Sequence, residues 1–541
     1  MPLSLSTSTP TPAMTPASET TTPRTLTKIV ATIGPASESP DAVRRLISAG
    51  VSVFRFNFSH GDFAAHGARL ATVRRVAEEL GTPVAVLGDL QGPKIRVGKI
   101  PETLGEAARS GGGTVVVAPG QDVVLKRGIR EAFERENVQA PAGTREPVLP
   151  VTYDALVDEV QVGHRVLIND GAIRMIAVDR NPDAGELRCR VTTGGAITSG
   201  KGINLPQSEI SAPAITPRDW ECVAWAVRNE LDYLALSFVR RADEVRELRA
   251  RLNDLCAQAP RRAGLELWIS IVSKIEKPQA LGDLDAIVDA SEGVMVARGD
   301  LGVEMEIAQV PVAQKRIIAC CAARGRPCIV ATQMLESMID SSSPTRAEAS
   351  DVANAVFDGA DAVMLSAETA TGKHPALVVD TMARIIAAAE ASVTQADSSA
   401  QPPTTHAPEH AQSVALAHGA WHIARDLHAR VVACWSEQGG NARYLSQNNF
   451  HIPIIAFSSD LRAARRMALY GSVWPICRQP PADRSLQSWN REVEELLLAR
   501  GLVRVGDWIV LLAGRPLGQA KATNAIAVQQ VGRPVAMHPP H

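Results

Sequence analysis

The feature that most constrains the fold is a repeated pattern of short apolar runs, each followed by polar residues and a helical pattern. Eight such runs occur before residue 366, at 28–32, 51–58, 83–87, 233–238, 267–272, 293–297, 328–332 and 362–365. Eight strands that alternate with helices are typical of a (β/α)8 barrel. We therefore predict an α/β protein whose largest part is a TIM barrel.

One gap interrupts this pattern, because residues 88–232 separate the third run from the fourth. Short alternating runs lie inside the gap, at 114–117, 122–126, 165–169 and 187–192. They predict an inserted all-β domain, which we expect to be a β-barrel lid. Further runs at 431–435, 453–457 and 508–513 alternate with helical stretches and predict a C-terminal α/β domain.

Two segments have a composition that does not form a core. Seventeen of residues 1–26 are Ser, Thr or Pro, which predicts a disordered tail, and residues 394–412 are typical of an interdomain linker. The predicted boundaries are 27–92 and 208–393 for the barrel, 93–207 for the inserted lid and 413–541 for the C-terminal domain. The tail lacks the features of a secretory signal and of an Arg-rich transit peptide, so we expect a cytoplasmic protein.

Composition and charge exclude several classes of protein. The 56 Lys and Arg residues nearly balance the 58 Asp and Glu residues, so the chain lacks the basic excess of a nucleic-acid-binding protein. No apolar run approaches the roughly 18 residues that a membrane span requires. The eight Cys residues are scattered without a Cys-x-x-Cys pair, which favours free thiols over disulfides or a zinc site.

The second run ends in polar residues that share one face. Strand side chains alternate, so Arg55, Asn57 and Ser59 point one way while Phe54, Phe56 and Phe58 point the other. A guanidinium, a carboxamide and a hydroxyl on one face can bind an anion or a phosphate. Taken alone, the pattern is more typical of a polar strand end with an internal salt bridge.

Two carboxylates and a lysine follow the fifth and sixth runs. Lys274 and Glu276 point the same way, and Asp300 follows the neighbouring run. Two carboxylates at adjacent strand ends can hold Mg2+, which prefers one or two carboxylates plus substrate oxygens and water. The Lys274 ammonium could then stabilise a developing oxyanion. A plain Lys–Glu ion pair explains the pattern equally well.

Other strand ends and one glycine-rich loop carry weaker signals. Thr332 and Ser366 follow the seventh and eighth runs, where they could position a substrate or lie in a solvated loop. Residues 195–201 fit the first seven positions of a phosphate-binding P-loop, but Gly202 replaces the required Ser or Thr. The P-loop interpretation therefore fails, while Lys201 remains a candidate phosphate ligand.

Several longer stretches resemble the pyruvate kinase family. They are TKIVATIGPAS (27–37), FNFSHG (56–61), GDLQGPKIR (88–96), SKIE (273–276), MVARGDLG (295–302), ATQMLESMI (331–339) and PTRAEASDVANAV (344–356). The resemblance implies a barrel (A domain), a β lid after its third strand (B domain) and a regulatory α/β domain (C domain). It also implies a homotetramer.

The resemblance implies phosphoryl transfer from phosphoenolpyruvate to ADP, giving pyruvate and ATP with Mg2+ or Mn2+. The matching positions imply four sets of site residues: a catalytic set of Lys274, Arg55, Thr332 and Ser366; a substrate-binding set of Arg55, Lys274, Gly299, Asp300 and Thr332; a nucleotide-binding set of Asn57, His60, Arg96 and Lys201; and the metal ligands Glu276 and Asp300. Phosphoryl transfer depends mostly on positioning and charge stabilisation, which agrees with these residue types.

The sequence departs from the common family pattern after the third strand. Residues 89–94 read DLQGPK, whereas potassium-dependent members read DTKGPE. In that pattern Lys, Glu and a bound K+ sum to one positive charge, which Lys94 alone supplies here. We predict that the Lys94 ammonium replaces the monovalent cation beside Asn57, Ser59 and Asp89, so that K+ is not required. A surface Lys94 with K+ still bound is the alternative.

The sequence of the C-terminal domain also departs from a pattern found in the family. Residues 436–441 read SEQGGN, where members regulated by fructose 1,6-bisphosphate carry a Ser/Thr-rich phosphate loop. The carboxylate of Glu437 would repel a phosphate, so we expect a different effector, such as AMP or a sugar monophosphate. Arg515 and Lys521 offer cations on another loop, although a solvent-exposed loop explains them equally well.

Two other functions compete with this hypothesis. One is a catalytically silent relative, which the presence of Arg55, Lys274, Glu276, Asp300 and Thr332 disfavours. The other is a barrel lyase or aldolase that stabilises an enolate with Mg2+. The Lys201 loop and the inserted lid argue against a lyase, because a lyase needs no nucleotide site.

Overall fold

A computed structural model describes residues 25–104, 106–107, 113–137, 139–259, 267–393, 410–448, 450–519 and 523–533. Residues 1–24 of the predicted disordered tail and residues 394–409 of the predicted linker lie outside these ranges. The helix that follows the linker begins at Ala411, inside the segment that the sequence assigned to the linker. No helix in these ranges is long and apolar enough to cross a membrane.

The chain begins with three strands and two helices of a barrel. These are β1 (Lys28–Thr32), α1 (Pro40–Ser48), β2 (Val51–Asn57), α2 (Phe63–Glu79) and β3 (Ala85–Asp89). The side chains of Ser39 and Asp62 cap the two helices by accepting hydrogen bonds from backbone N–H groups, at 3.2 and 2.8 Å. Such caps begin each helix at a defined residue just after the strand end.

An inserted segment of short strands follows β3. Its elements are β4 (Glu106–Ala107), β5 (Gly113–Val117), β6 (Asp122–Lys126), β7 (Phe133–Glu136), β8 (Arg145–Pro150), α3 (Leu156–Glu159), β9 (Arg165–Ile168), β10 (Ile173–Asn181), β11 (Glu186–Thr193), β12 (Gly195–Thr198) and β13 (Ile203–Asn204). They form a seven-stranded sheet, ordered β13-β9-β10-β11-β6-β8-β7, and a three-stranded sheet, ordered β12-β5-β4.

The sheet arrangement differs from the single β-barrel that the sequence predicts for this insertion. Strands β7 and β13 are the edges of the larger sheet in the described part of the chain. Strand β7 is mostly exposed and carries charged residues, a composition that protects an open edge from pairing. Both sheets still contribute to one hydrophobic core, with Val115 and Ile197 from the smaller sheet and Leu125 and Val166 from the larger.

The remaining strands close the barrel. The elements are α4 (Pro217–Arg228), β14 (Tyr233–Leu236), α5 (Ala242–Gln258), β15 (Ser270–Ile275), α6 (Pro278–Gly282), α7 (Leu284–Ala290), β16 (Gly293–Ala297), α8 (Arg298–Glu304), α9 (Val310–Ala323), β17 (Cys328–Ala331), α10 (Arg346–Phe357), β18 (Ala362–Leu365), α11 (Ala367–Ala370) and α12 (Pro375–Ser392). Eight parallel strands form a closed ring in the order β1-β18-β17-β16-β15-β14-β3-β2. The predicted (β/α)8 barrel is therefore confirmed.

The last part of the chain is a separate α/β unit, as predicted. Its elements are α13 (Ala411–Asp426), β19 (Val431–Trp435), α14 (Gly440–Ser446), β20 (Ile454–Ser458), α15 (Leu461–Met467), β21 (Val473–Cys477), α16 (Leu486–Ala499), β22 (Trp508–Gly514) and β23 (Thr523–Gln530). The sheet order is β21-β20-β19-β22-β23, and only the β22–β23 pair is antiparallel.

The turn after α15 joins this unit to the interior of the barrel. Ala468 and Leu469 are buried in one cluster with inward-facing barrel residues such as Val30 and Val272. The Tyr233 hydroxyl donates a 2.6 Å hydrogen bond to the Arg466 carbonyl. Tyr233 begins β14, so the turn packs against the amino-terminal end of the barrel, opposite the end where barrel active sites lie.

The packing of this turn predicts that two leucines near α15 contribute differently to the free energy of unfolding. Leu469 is fully buried, whereas Leu461 at the start of the same helix is 42% exposed. Leu469→Ala should lower the free energy of unfolding by about 2–5 kcal/mol, because it leaves a cavity in the cluster. Leu461→Ala should change it by no more than about 0.5 kcal/mol. Urea denaturation measures both values, and equal losses would contradict the packing described.

Candidate active site

The carboxyl ends of the first three barrel strands carry one connected polar group. Arg55 at the end of β2 donates through Nε to Asp89 Oδ2 at 2.7 Å, and through Nη1 to Thr32 Oγ1 at 3.0 Å. Strand β2 alternates as its sequence predicts, because Phe54 and Phe56 are fully buried while Arg55 is partly accessible. The salt bridge is the simpler interpretation of this strand end, and it leaves the guanidinium at the mouth of the barrel.

Lys274 lies at the centre of the group. Its Nζ contacts Glu276 Oε1 at 2.8 Å, Asp89 Oδ1 at 3.2 Å and Ser237 Oγ at 2.8 Å. A lysine ammonium has three N–H donors, and each of them has an acceptor here. Strands β3, β14 and β15 therefore meet at one buried ammonium, whose side chain is 11% exposed.

The charged groups in this cluster shift one another's pKa values. Burial opposes ionisation of Asp89, but the neighbouring Lys274 and Arg55 outweigh it and lower the pKa of that carboxyl. Burial also opposes the charge on Lys274, yet Asp89 and Glu276 outweigh it and raise the pKa of the ammonium. Burial raises the pKa of Glu276 to about 7, despite Lys274, and the nearby charge of Asp300 adds to the rise.

Glu276 and Asp300 are the candidate metal ligands. Glu276 is 1% exposed, and its Oε2 accepts a 2.6 Å hydrogen bond from the backbone N–H of Phe238. Asp300 is partly exposed at the end of the paired strand β16, and its charge reaches Glu276. Carboxylates are the ligands that Mg2+ prefers, and Asp300 lines an open cavity, whereas both oxygens of Glu276 are engaged by Lys274 and by the Phe238 N–H.

The ends of β16 and β17 form the next part of the site. The backbone N–H of Gly299 donates to Thr332 Oγ1 at 2.7 Å, and the Thr332 hydroxyl donates to the Ala331 carbonyl at 2.6 Å. Arg298 fixes this loop, because its Nη2 donates to the Thr332 carbonyl at 2.8 Å while Nη1 pairs with Asp351 at 2.7 Å. Thr332 itself has a positive φ of 69°, a costly backbone conformation that such contacts must hold.

Ser366 follows β18, which pairs with β17. Its backbone N–H donates to Glu368 Oε2 at 2.6 Å, and the residue is partly exposed. The structure therefore places the hydroxyl-bearing residues Thr332 and Ser366 at neighbouring strand ends.

The inserted segment carries the two cations that the sequence assigned to the nucleotide, Arg96 and Lys201. Arg96 forms a β-bridge with Gly202, and its Nη1 donates to the Gly200 carbonyl at 2.8 Å. Lys201 is on the same loop, where its carbonyl accepts a 2.8 Å hydrogen bond from the backbone N–H of Val97. The two predicted nucleotide cations thus lie on adjacent backbone segments.

A cavity of about 930 Å³ separates the inserted segment from the barrel. It is lined on one side by Lys94 and Leu205, and on the other by Phe238, Lys277 and Asp300. The candidate metal ligand Asp300 thus faces an open space that a small molecule can fill.

The structure does not bring Lys94 to its predicted neighbours. Lys94 is exposed, and its Nζ lies 4.0 Å from the position that a Cβ on Gly202 would occupy. The ion pairs of Asp89 in the described residues are with Arg55 and Lys274. The β-bridge between Arg96 and Gly202 holds these two backbone segments together, and the Lys94 side chain lies beside Gly202.

The other predicted neighbours stay near the end of β2. Asn57 Oδ1 accepts a 3.1 Å hydrogen bond from the backbone N–H of Ser59, and the backbone N–H of His60 donates to the Asn57 carbonyl at 3.2 Å. Ser59 and His60 are exposed and Asn57 is partly exposed. All three are accessible beside Arg55.

Comparisons with known proteins agree with this geometry. The family model for the pyruvate kinase barrel domain matches residues 24–379, and the model for the pyruvate kinase alpha/beta domain matches residues 414–529. The chain belongs to the pyruvate kinase family. Pyruvate kinases from Corynebacterium efficiens and Mycobacterium tuberculosis are each 38% identical to it, over 507 and 506 residues, which cover 94% and 93% of this chain and 98% of each relative. Membership in the pyruvate kinase family identifies the chain as a transferase.

Two polar residues of this candidate site were not predicted from the sequence. Ser237, at the end of β14, accepts from Lys274 and donates a 2.6 Å hydrogen bond to the Leu90 carbonyl. Thr32, at the end of β1, accepts from Arg55. Thr32 ends the predicted run 28–32, and Ser237 is the second-last residue of the predicted run 233–238. The rule that identified Lys274 and Thr332, applied to every strand end, would have found them.

The cluster predicts that replacing either of two buried carboxylates lowers stability, but that only one replacement also lowers kcat. Asp89→Asn removes the partner of Arg55 and Lys274, while Asp232→Asn removes the 2.8 Å partner of Arg74 at the other end of the barrel. Each variant should lose about 3–5 kcal/mol of stability, because a buried charge is left without its partner. Only Asp89→Asn should also lower kcat for pyruvate formation, by about 10²-fold, through misplacement of Lys274.

Urea denaturation and steady-state kinetics measure the two effects separately. Equal kcat values for the two variants, at temperatures where both are folded, would contradict the role given to Asp89.

Proposed function

We propose that this protein catalyses transfer of the phosphoryl group of phosphoenolpyruvate to ADP, giving pyruvate and ATP. The observation that carries the proposal is the buried Lys274 ammonium shared by Asp89, Glu276 and Ser237. In the reaction, an oxygen of the ADP β-phosphate forms a bond to phosphorus and the bond from phosphorus to the enol oxygen breaks. The electron pair stays on that oxygen, and a proton then adds to C3 of the enolate.

Lys274 is assigned the stabilisation of charge on the phosphoryl group and on the enolate oxygen. All three of its donors are engaged, so a substrate oxygen must take the place of one acceptor. Ser237 is the neutral acceptor, and giving it up costs less electrostatic energy than separating the ammonium from a buried carboxylate. Arg55 lies beside Lys274 through Asp89 and is assigned to the phosphate of the substrate.

Gly299 and Thr332 are assigned to the substrate carboxylate. The Gly299 N–H already has a hydroxyl acceptor in Thr332, which a carboxylate oxygen would replace with a stronger, charge-assisted hydrogen bond. The neighbouring Ser366 and Thr332 are assigned to hold the water that protonates C3. This step needs hydroxyls at adjacent strand ends, which β17 and β18 supply.

Glu276 and Asp300 are the residues proposed to hold Mg2+ or Mn2+. When bound there, the cation would supply positive charge to the oxygens of the phosphoryl group and of the enolate. The four residues Arg55, Lys274, Asp89 and Glu276 cancel one another in formal charge. An anionic substrate therefore requires this additional positive charge, together with Arg96 and Lys201 for the nucleotide phosphates.

Replacement of the central lysine tests the assignment. Lys274→Met should lower kcat for ADP-dependent pyruvate formation by at least about 10²-fold, because it removes a positioned charge from the reacting oxygens. Lys373→Met removes a lysine that is 65% exposed in an ion pair with Asp340, and should leave kcat unchanged. A lactate-dehydrogenase-coupled assay, with and without ADP, gives both values. Near-normal turnover in Lys274→Met would refute the assignment.

We further propose that the enzyme needs no K+, because Lys94 supplies the monovalent positive charge. The proposal rests on the charge balance of residues 89–94 and on the position of Lys94 in the wall of the cavity that Asp300 also lines. It requires the side chain to turn from Gly202 toward Asn57 when the inserted segment closes on substrate.

Activity in tetramethylammonium as the only monovalent cation tests the role of Lys94. The wild type should be stimulated less than twofold by K+, whereas Lys94→Glu, which restores the acidic residue, should depend on K+ by roughly tenfold or more, about 1.4 kcal/mol. Lys99→Glu is the matched control, because Lys99 is 68% exposed on the same segment. Strong K+ stimulation of the wild type would contradict the proposal.

Regulation through the C-terminal domain is proposed to use an effector other than fructose 1,6-bisphosphate. Glu437 accepts hydrogen bonds from Trp435 Nε1 and from the Ser459 hydroxyl, so its carboxylate is built into the loop where the phosphate would bind. Lys521 lies outside the described residues, while Arg515 is exposed. Activity at subsaturating phosphoenolpyruvate with AMP, glucose 6-phosphate, ribose 5-phosphate or fructose 1,6-bisphosphate identifies the effector. A cytoplasmic homotetramer remains the proposed state.

A further inference from the structure

Two histidines on α13 point at one another on a partly exposed face. His418 and His422 are one helical turn apart, and neither is fully buried. Their Nε2 atoms are 3.1 Å apart, and the two rings lie nearly perpendicular, at 87°. No step of the proposed reaction uses them, because α13 belongs to the C-terminal unit and the reacting groups lie on the barrel.

The hydrogen bonds around His418 define which of its nitrogens carries the proton. Asn448 Nδ2 donates to the Tyr444 carbonyl at 2.7 Å, which leaves Asn448 Oδ1, an acceptor, 3.2 Å from His418 Nδ1. His418 Nδ1 must then carry the proton and donate it. The lone pair of His418 Nε2 is therefore directed at His422, whose Nε2–H completes the contact.

This arrangement matches the requirements of a metal ligand. A metal-bound histidine usually donates its second N–H to a protein oxygen, which fixes the ring and raises its basicity. With metal–nitrogen bonds of about 2.05 Å, a nitrogen separation of 3.1 Å corresponds to an angle of about 100° at the metal. That angle lies between the values of square-planar and tetrahedral coordination.

We propose that His418 and His422 form a binding site for a divalent first-row transition metal such as Ni2+, Cu2+ or Zn2+. On binding, the proton of His422 moves from Nε2 to Nδ1 through solvent, and both rings turn so that the two Nε2 lone pairs converge on the metal instead of lying along the line between the nitrogens; no net proton is released. Water completes the coordination, since no group of three or more His, Cys, Asp or Glu side chains is arranged for a metal in the described ranges.

The site differs in chemistry from the candidate Mg2+ site of the barrel. Imidazole nitrogens favour Ni2+, Cu2+ and Zn2+, whereas Mg2+ prefers oxygen ligands. A two-histidine site therefore binds transition metals while Mg2+ in excess leaves it free. Cu2+ should bind more tightly than Ni2+ or Zn2+, which is the usual order of affinities for nitrogen ligands.

Titration calorimetry with NiCl2 on the full, untagged chain in excess Mg2+ tests the proposal. The wild type should show one site per chain that is at least tenfold weaker in both His418→Ala and His422→Ala. His428→Asn is the matched control, because His428 is exposed just beyond α13 and has a positive φ of 49° that Asn tolerates. It should bind as the wild type does.

Asn448→Ala provides an independent test that keeps both histidines. It should weaken binding by roughly 10-fold or more, because the tautomer of His418 is no longer held. Circular dichroism of each metal-free variant establishes that the helix remains folded. Equal Ni2+ binding by the wild type, His418→Ala and His422→Ala, or loss of binding in His428→Asn, would overturn the proposal.

Discussion

A single buried ammonium organises the catalytic end of the barrel. Lys274 contacts Asp89, Glu276 and Ser237, which follow three different strands, and Asp89 in turn holds Arg55 from a fourth. Each contact is possible only because parallel strands of a closed barrel end at the same edge. The barrel is therefore a frame whose strand registers set the distances between these side chains.

The net charge of this cluster indicates why further positive charge is needed at the site. Two cations and two carboxylates cancel, so the buried group is stable without substrate yet offers no net attraction to a phosphate. Arg96 and Lys201, which lie on adjacent backbone segments of the insertion, are the residues proposed to supply positive charge to the nucleotide phosphates. Glu276 and Asp300 are the proposed ligands for the metal charge. The proposed phosphoryl transfer depends on charges from both the barrel and the inserted segment.

Much of this design could be predicted from the sequence, because barrel strands are apolar and their ends are not. The prediction was less accurate where a polar residue of the site also forms part of a strand. Strand β15 was predicted at 267–272 but runs from Ser270 to Ile275, since Ser273 and Lys274 look like loop residues yet are paired and enclosed. The position of Lys94 could not be predicted, because its side chain lies beside Gly202, a distant residue that the β-bridge between Arg96 and Gly202 brings close.

The most direct test of this account is a double-mutant cycle between Ser237→Ala and Asp89→Asn, measured as kcat/KM for pyruvate formation. Both residues hold the same ammonium, so their effects must depend on one another. The account predicts a coupling energy above about 0.5 kcal/mol, as expected for residues that share a partner. Losses that add within about 0.3 kcal/mol would contradict it, because they would mean that the two residues act independently of Lys274.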